Sequence, residues 1–135
     1  MKCFTVLITV CVVAACAPQS SDEEQVRELI AGAEAAAEAR DASDVLALVD
    51  DAYQDANGFD KTQLQNFLRG YFLAHPKLEI VVNISQLEFP ADGLAQAELS
   101  VTSLALNDPD HQRLKVEFQR RDGQWRVTRA ERLRP

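Results

Sequence analysis

The chain is poor in the residues that build stapled, metal-bound or phosphate-binding proteins. It has three cysteines, and all of them fall within the first sixteen of its 135 residues. The stretch after Cys16 therefore cannot close an intramolecular disulfide, whatever the redox compartment. Only two histidines occur, His75 and His111, and neither belongs to a His-x-x-x-His or paired-Cys pattern, so no metal centre is expected. Five scattered glycines form no phosphate-cradling loop, and no Gly-x-Ser-x-Gly nucleophile elbow is present. Basic residues are outnumbered, 14 against 21 acids, for a net charge of −7. That balance excludes a general nucleic-acid partner. The one long apolar run, Phe4 to Ala15, is twelve residues, short of the roughly 20 that a membrane-spanning helix needs.

What is present at the start reads as an address. Met1-Lys2 supplies a positive charge, the apolar run follows, and small residues close it. This is the pattern of an export signal. The end, Val13-Ala14-Ala15-Cys16, resembles the lipobox of bacterial lipoproteins. The resemblance implies cleavage before Cys16 and acylation of its thiol and new amino terminus. It divides the chain into a signal peptide (residues 1–15), a lipidated Cys16 with a short tether (16–20) and a single domain (21–135). An ordinary cut after Ala17 competes, because Ala15-Cys16-Ala17 also fits a small-x-small site, but Pro18 would then follow the scissile bond. Each acyl CH₂ contributes about 0.8 kcal/mol and one chain holds only weakly, so lasting anchorage takes several. With no Asp after Cys16, resemblance to enteric sorting implies the outer membrane, facing the periplasm. Ala17 to Ser21 spans at most about 17 Å, which keeps the domain close to the bilayer.

The mature chain reads as helices, then strands. Ser21-Asp22-Glu23-Glu24 is a capping-box pattern with acids at the positive end of the helix dipole. Val26, Leu29, Ile30, Ala33 and Ala37 recur at helical spacing, which predicts a helix to about Arg40 with an Ala-rich face. Ser43 is expected to cap a short second helix. A turn at Asn57-Gly58 precedes a third helix capped by Asp60, with Leu64, Phe67, Leu68, Tyr71 and Phe72 on one face. His75-Pro76 ends it.

After Pro76 the apolar period becomes two: Leu78 to Ile84, Ala95 to Val101, Leu114 to Phe118, and Trp125 with Val127. Turns are expected at Pro90–Gly93, Asn107–Asp110 and, as a tight hairpin, Asp122-Gly123. The fold class is therefore α+β, with N-terminal helices packed on an antiparallel sheet of four long strands plus a short one at Asp50–Asp55.

These elements, with Asp50-Asp51-Ala52-Tyr53, Leu68-Arg69-Gly70-Tyr71-Phe72 and Asp122-Gly123-Gln124-Trp125-Arg126-Val127, resemble the nuclear transport factor 2-like superfamily. The resemblance covers nearly all of the mature chain. It implies a strongly curved sheet wrapped around a long helix, a cone with a pocket. It does not select an activity, because the superfamily includes isomerases, dehydratases, hydrolases, transport adaptors and non-catalytic domains.

Asp51, Tyr53 and Asp55, with Tyr71, are the pocket candidates that the resemblance brings forward. A carboxylate in an apolar pocket gains basicity by desolvation, and a tyrosine hydroxyl can donate to a developing oxyanion. Strand alternation would set Asp51, Tyr53 and Asp55 on one face and Asp50 and Ala52 on the other. The alternative is a solvated acidic loop with only the Tyr53 ring turned inward. Asp55-x-Asn57-Gly58 fails as a calcium loop, since Tyr53 and Leu64 would occupy its first and last ligand positions.

Charge is segregated: twelve acids against two bases from Ala17 to Asp60, eight bases against three acids from His111 to Pro135. Arg113, Lys115, Arg121 and Arg126 could share one face of the last hairpin, interrupted by Glu117. Together these features lead us to expect a membrane-tethered domain, without cofactor, that binds a small apolar ligand or a protein partner and could form a homodimer. The alternative is a small-molecule enzyme using a pocket Asp–Tyr pair.

Overall fold

The computed structural model describes residues 21–105 and 108–134. The expected signal peptide, Cys16, the tether and Asn107 lie outside the described residues. Three helices, α1 (Asp22–Glu38), α2 (Ala42–Ala47) and α3 (Lys61–Ala74), precede four strands. The strands β1 (Glu79–Ala91), β2 (Leu94–Ala105), β3 (Asp108–Arg121) and β4 (Gln124–Leu133) form one antiparallel sheet in sequential order.

The caps explain the helix starts. The Ser21 hydroxyl accepts the Glu24 N–H at 3.2 Å, and Asp60 and Gln63 satisfy each other's backbone donors in a complete capping box. The second helix starts earlier than expected. Asp41 rather than Ser43 is its cap, accepting the Asp44 N–H at 3.0 Å. The first helix ends at Glu38; Arg40 takes a left-handed φ of 55° and closes a Schellman turn, with its N–H on Ala37 and that of Asp41 on Ala36. At the last hairpin Asp122 and Gly123 both have positive φ, as a two-residue turn matched to the strand twist requires. The other two turns are shorter than the sequence suggests. Pro90 and Ala91 still belong to β1, and Asp108 to Asp110 to β3. His111 consequently sits within a strand opposite Thr102, bonded to its hydroxyl at 3.0 Å.

The helix α1 lies in the concave face of the sheet. Val26, Leu29 and Ile30 pack with Ala95, Ala97, Leu99, Val116, Phe118 and Trp125; Val26 and Phe118 are fully enclosed. Three irregularities interrupt the strand register, one of them between Glu88 and Ala91 beside the β1–β2 turn and two within the sheet. Ser85 is the extra residue between the Ile84–Leu99 and Gln86–Glu98 pairs, and Thr128 the extra one between Phe118–Val127 and Glu117–Arg129. Each bulge hydroxyl donates to a carbonyl of the neighbouring strand, Ser85 to Glu98 at 3.0 Å and Thr128 to Glu117 at 3.3 Å. Bulges sharpen local twist, so they curl the sheet around α1 from both sides.

Both sheet edges are covered in part. Beside β4 the backbone of 48–56 runs alongside, with the N–H groups of Asp50, Gln54 and Ala56 on the carbonyls of Val127, Thr128 and Ala130. The expected short strand is thus an edge-covering segment with one parallel bridge, Val49–Val127. Beside β1 the Glu34 and Glu38 carboxylates, one turn apart on α1, accept the outward N–H groups of Val82 (3.0 Å) and Ile80 (3.1 Å). An uncovered edge is a template for another strand. Replacing both by alanine (Glu34→Ala with Glu38→Ala) is therefore expected to cause concentration-dependent self-association, read by light scattering. A strictly monodisperse double variant would contradict the edge-protection role.

Candidate functional site

The narrow end of the cone is solid and the wide end is not. Small residues decide this. Along α1, Val26, Leu29 and Ile30 fill the space at one end, while Ala33 and Ala37 at the other line a cavity of about 850 Å³. The apolar face of α3, Leu64, Phe67, Leu68, Tyr71 and Phe72, forms the opposite wall rather than a packed core, and Ile80, Val82, Leu99, Val101 and Leu114 form the floor. Exposed residues, among them Phe59, Phe67, Arg132 and Arg134, also join the lining, so the cavity opens to solvent there. Its size is that of a pocket for a small organic ligand.

Of the four candidates from sequence, three line this cavity and one does not. Asp51 lies outside it, fully solvated, with its carboxylate 2.9 Å from the Lys61 ammonium; that pairing holds its pKa below the usual carboxylate range. The expected alternation fails because a turn, not a strand, occupies 50–53. The Asp50 carboxylate accepts the Ala52 N–H at 2.9 Å, and its carbonyl accepts the Tyr53 N–H at 3.0 Å. Asp50, expected on the opposite face from Tyr53, is buried with it (both 4% exposed) and bound to Arg121 at 3.0 Å.

Asp55 borders the cavity, but one of its carboxylate oxygens holds the following turn. It accepts the N–H groups of Asn57 and Phe59, each at 2.8 Å, an Asx turn that accounts for Asn57-Gly58. Tyr71 presents its ring between Phe67 (5.9 Å between centroids) and His75 (4.2 Å), an aromatic row along α3. The His75 ring Nδ1 lies 2.8 Å from the Tyr71 carbonyl, a helix-ending contact. No group of three His, Cys, Asp or Glu that could hold a metal ion exists among the described residues.

Tyr53 stands apart. It is buried, it lines the cavity, and no group among the described residues forms a hydrogen bond with its hydroxyl. Burial, reinforced by the nearby Asp55 charge and opposed by Arg129, pushes its pKa up to about 12. A phenol held there is a neutral hydrogen-bond donor at physiological pH, not a base. No buried side-chain oxygen or nitrogen among the described residues lacks a partner, so this hydroxyl reaches accessible space at the cavity and is free to serve a ligand.

The charged outer face is mixed, as the interruption by Glu117 suggests, and the four basic residues of the last hairpin do not gather on it. Register places Lys115 between Glu98 and Glu131, and Glu117 opposite Arg129; Arg113 bonds Glu98 at 3.3 Å. The face is a checkerboard of both signs. Arg121 and Arg126 reach away from it, to Asp50 and to the Ala47 carbonyl.

The raised Tyr53 midpoint has a consequence for stability. An acid whose pKa is higher in the folded chain than in the unfolded one contributes fully below about pH 10. That contribution falls as pH climbs through about 12. Phenolate absorbance should show one tyrosine ionising near that value, and Tyr53→Phe should remove the step and flatten alkaline destabilisation over this range. A Tyr53 midpoint near 10 would contradict its burial.

No family model matches the chain, and no curated protein does. Solved structures match its shape. A cystatin-like domain of unknown function from Nostoc punctiforme aligns with a TM-score of 0.74 at 11% identity, over 87% of this chain and 80% of that one. An NTF2-like protein of unknown function from Pseudomonas putida aligns at 0.66 and 23% identity, over 84% and 86%. Another from Shewanella oneidensis aligns at 0.68 and 15%, over 82% and 97%. Identities this low speak for the fold alone, and on that ground the chain has the NTF2-like, or cystatin-like, cone fold.

Proposed function

We propose that this protein is a lipid-anchored envelope protein whose cone cavity binds a small, largely apolar ligand through the Tyr53 hydroxyl. The carrying observation is that Tyr53, a buried residue, presents a hydroxyl without a partner among the described residues to an apolar cavity of about 850 Å³, where that oxygen stays accessible. Apolar walls supply affinity in proportion to the area they cover, and a single placed donor supplies orientation. Binding is preferred to acid–base catalysis. Asp51 lies outside the cavity, an oxygen of Asp55 is engaged by backbone donors, and the Tyr53 phenol is too weak an acid to exchange protons readily at neutral pH.

The lipid anchor rests on Val13-Ala14-Ala15-Cys16, and the fold gives it a geometric sense. The start of α1 is tied to the hairpin end of the sheet, because Asp22 bonds Arg120 and Arg120 bonds Asp92 in the β1–β2 turn, all at 2.8 Å. The cavity residues Ser103, Gln112 and Arg132 belong to the far strand ends. Leu94 and Ser103 are about 30 Å apart along an extended strand. A lipid on Cys16 would hold the closed end toward the bilayer and the mouth toward the periplasm, so the ligand would be taken from the aqueous side.

Two measurements test the two halves. Cys16→Ala should move the protein from the membrane to the soluble fraction; unchanged fractionation contradicts the anchor. The neutral fluorophore N-phenyl-1-naphthylamine should bind one-to-one and be displaced by dodecanol. Tyr53→Phe should weaken dodecanol about fivefold, the worth of one hydrogen bond. Absence of saturable binding contradicts the cavity reading.

A further inference from the structure

Resting on the cavity reading, we propose that the ligand is an amphipathic anion, with a carboxylate or phosphate head held at the mouth by Arg132 and Arg134. The mouth is where the lining changes character. Five charged residues border the cavity: Glu34, Asp55, Glu131, Arg132 and Arg134. The Glu34 carboxylate accepts the Val82 N–H, and Asp55 holds its own turn. Glu131 pairs in register with Lys115, and so belongs to the outward-facing row. The two arginines differ. Among the described residues neither guanidinium has an ion-pair or hydrogen-bond partner; Arg27, Arg40, Arg113, Arg120, Arg121 and Arg126 all do, and the other two without one, Arg69 and Arg129, do not border the cavity.

Arg132 is turned to the cavity side by a specific irregularity. Unbroken alternation from Trp125 and Val127 would send residues 129 and 131 inward. The extra residue Thr128 shifts the set, so that Ala130 lies opposite inward Val116 and Arg132 opposite inward Leu114. A long cationic side chain is thereby placed on the concave side, opposite Leu114, where it borders the cavity together with Ser103 and Gln112. Arginine's planar fork matches a carboxylate or a phosphate. Apolar walls, a free donor inside and a pair of unpaired guanidinium groups at the opening describe a molecule with a greasy body, an oxygen along it and an anionic end.

The test compares dodecanol, dodecanoate and dodecyl phosphate as displacers of the neutral fluorophore from the wild-type chain and from Arg132→Gln with Arg134→Gln. The expected result is that one or both anions bind at least about fivefold more tightly than dodecanol. That advantage should shrink as salt is raised. The double variant should remove it and leave dodecanol unchanged, which also shows that the variant is folded. Comparing the two anions separates a carboxylate ligand from a phosphate one. If dodecanol binds as tightly as both anions, or if the variant weakens all three equally, the head-group assignment is overturned while the cavity reading stands. If none of the three binds, both are overturned.

Discussion

The structure depends on how side-chain size changes along one helix. Because α1 must cover the concave face of a curled sheet, what it carries decides where the interior is filled. Val26, Leu29 and Ile30 close one end against Phe118, Val116 and Trp125. Ala33 and Ala37 leave the other end unfilled. A void of this size forfeits packing attraction on every wall. The void also explains why α3, the most amphipathic element in the chain, buries only Phe72 fully and leaves Phe67 exposed.

Charge segregation is spent inside the molecule. The acids of the helical half and the bases of the last two strands meet across the interface between them. Asp22 bonds Arg120, which also lies 5.5 Å from the Trp125 ring centre, and Asp50 bonds Arg121. Arg120 therefore joins the start of α1, the β1–β2 turn and the core tryptophan. Glu34 and Glu38 do a comparable task at the opposite edge, where carboxylates of a helix replace the strand that β1 lacks. Such contacts fix the helix on the sheet and leave Arg132 and Arg134, of the arginines that border the cavity, with no hydrogen-bond or ion-pair partner among the described residues.

Much of the fold was legible because its signals are local. Ser21, Asp60 with Gln63, and Asp122-Gly123 carry their geometry in their own side chains or backbone. The period of two in β2 and β3 holds from end to end, since no bulge interrupts it. Three features were hidden, each for a physical reason. Asp50 to Asp55 looks like a short alternating strand, but the Asp50 carboxylate folds back on Ala52, and the face assignment of Asp51 is lost with it. The bulge at Thr128 depends on the neighbouring strand, so nothing in β4 alone reveals that Arg132 faces inward. Hydrophobic periodicity marks the face of α3 as buried without distinguishing a packed core from a cavity wall. Tyr53 was visible as a candidate; that its hydroxyl would be left unpartnered was not.

If the wide end of the cone is a binding site left open by alanines, filling it must block the ligand without harming the fold. Ala33→Phe tests this directly, by pairing the melting temperature with dodecanol displacement of the bound fluorophore. The account predicts a melting temperature equal to or above that of the parent chain, because the added ring occupies empty apolar space, together with loss of displaceable binding. A variant that melts no lower and still binds dodecanol as the parent does would contradict it.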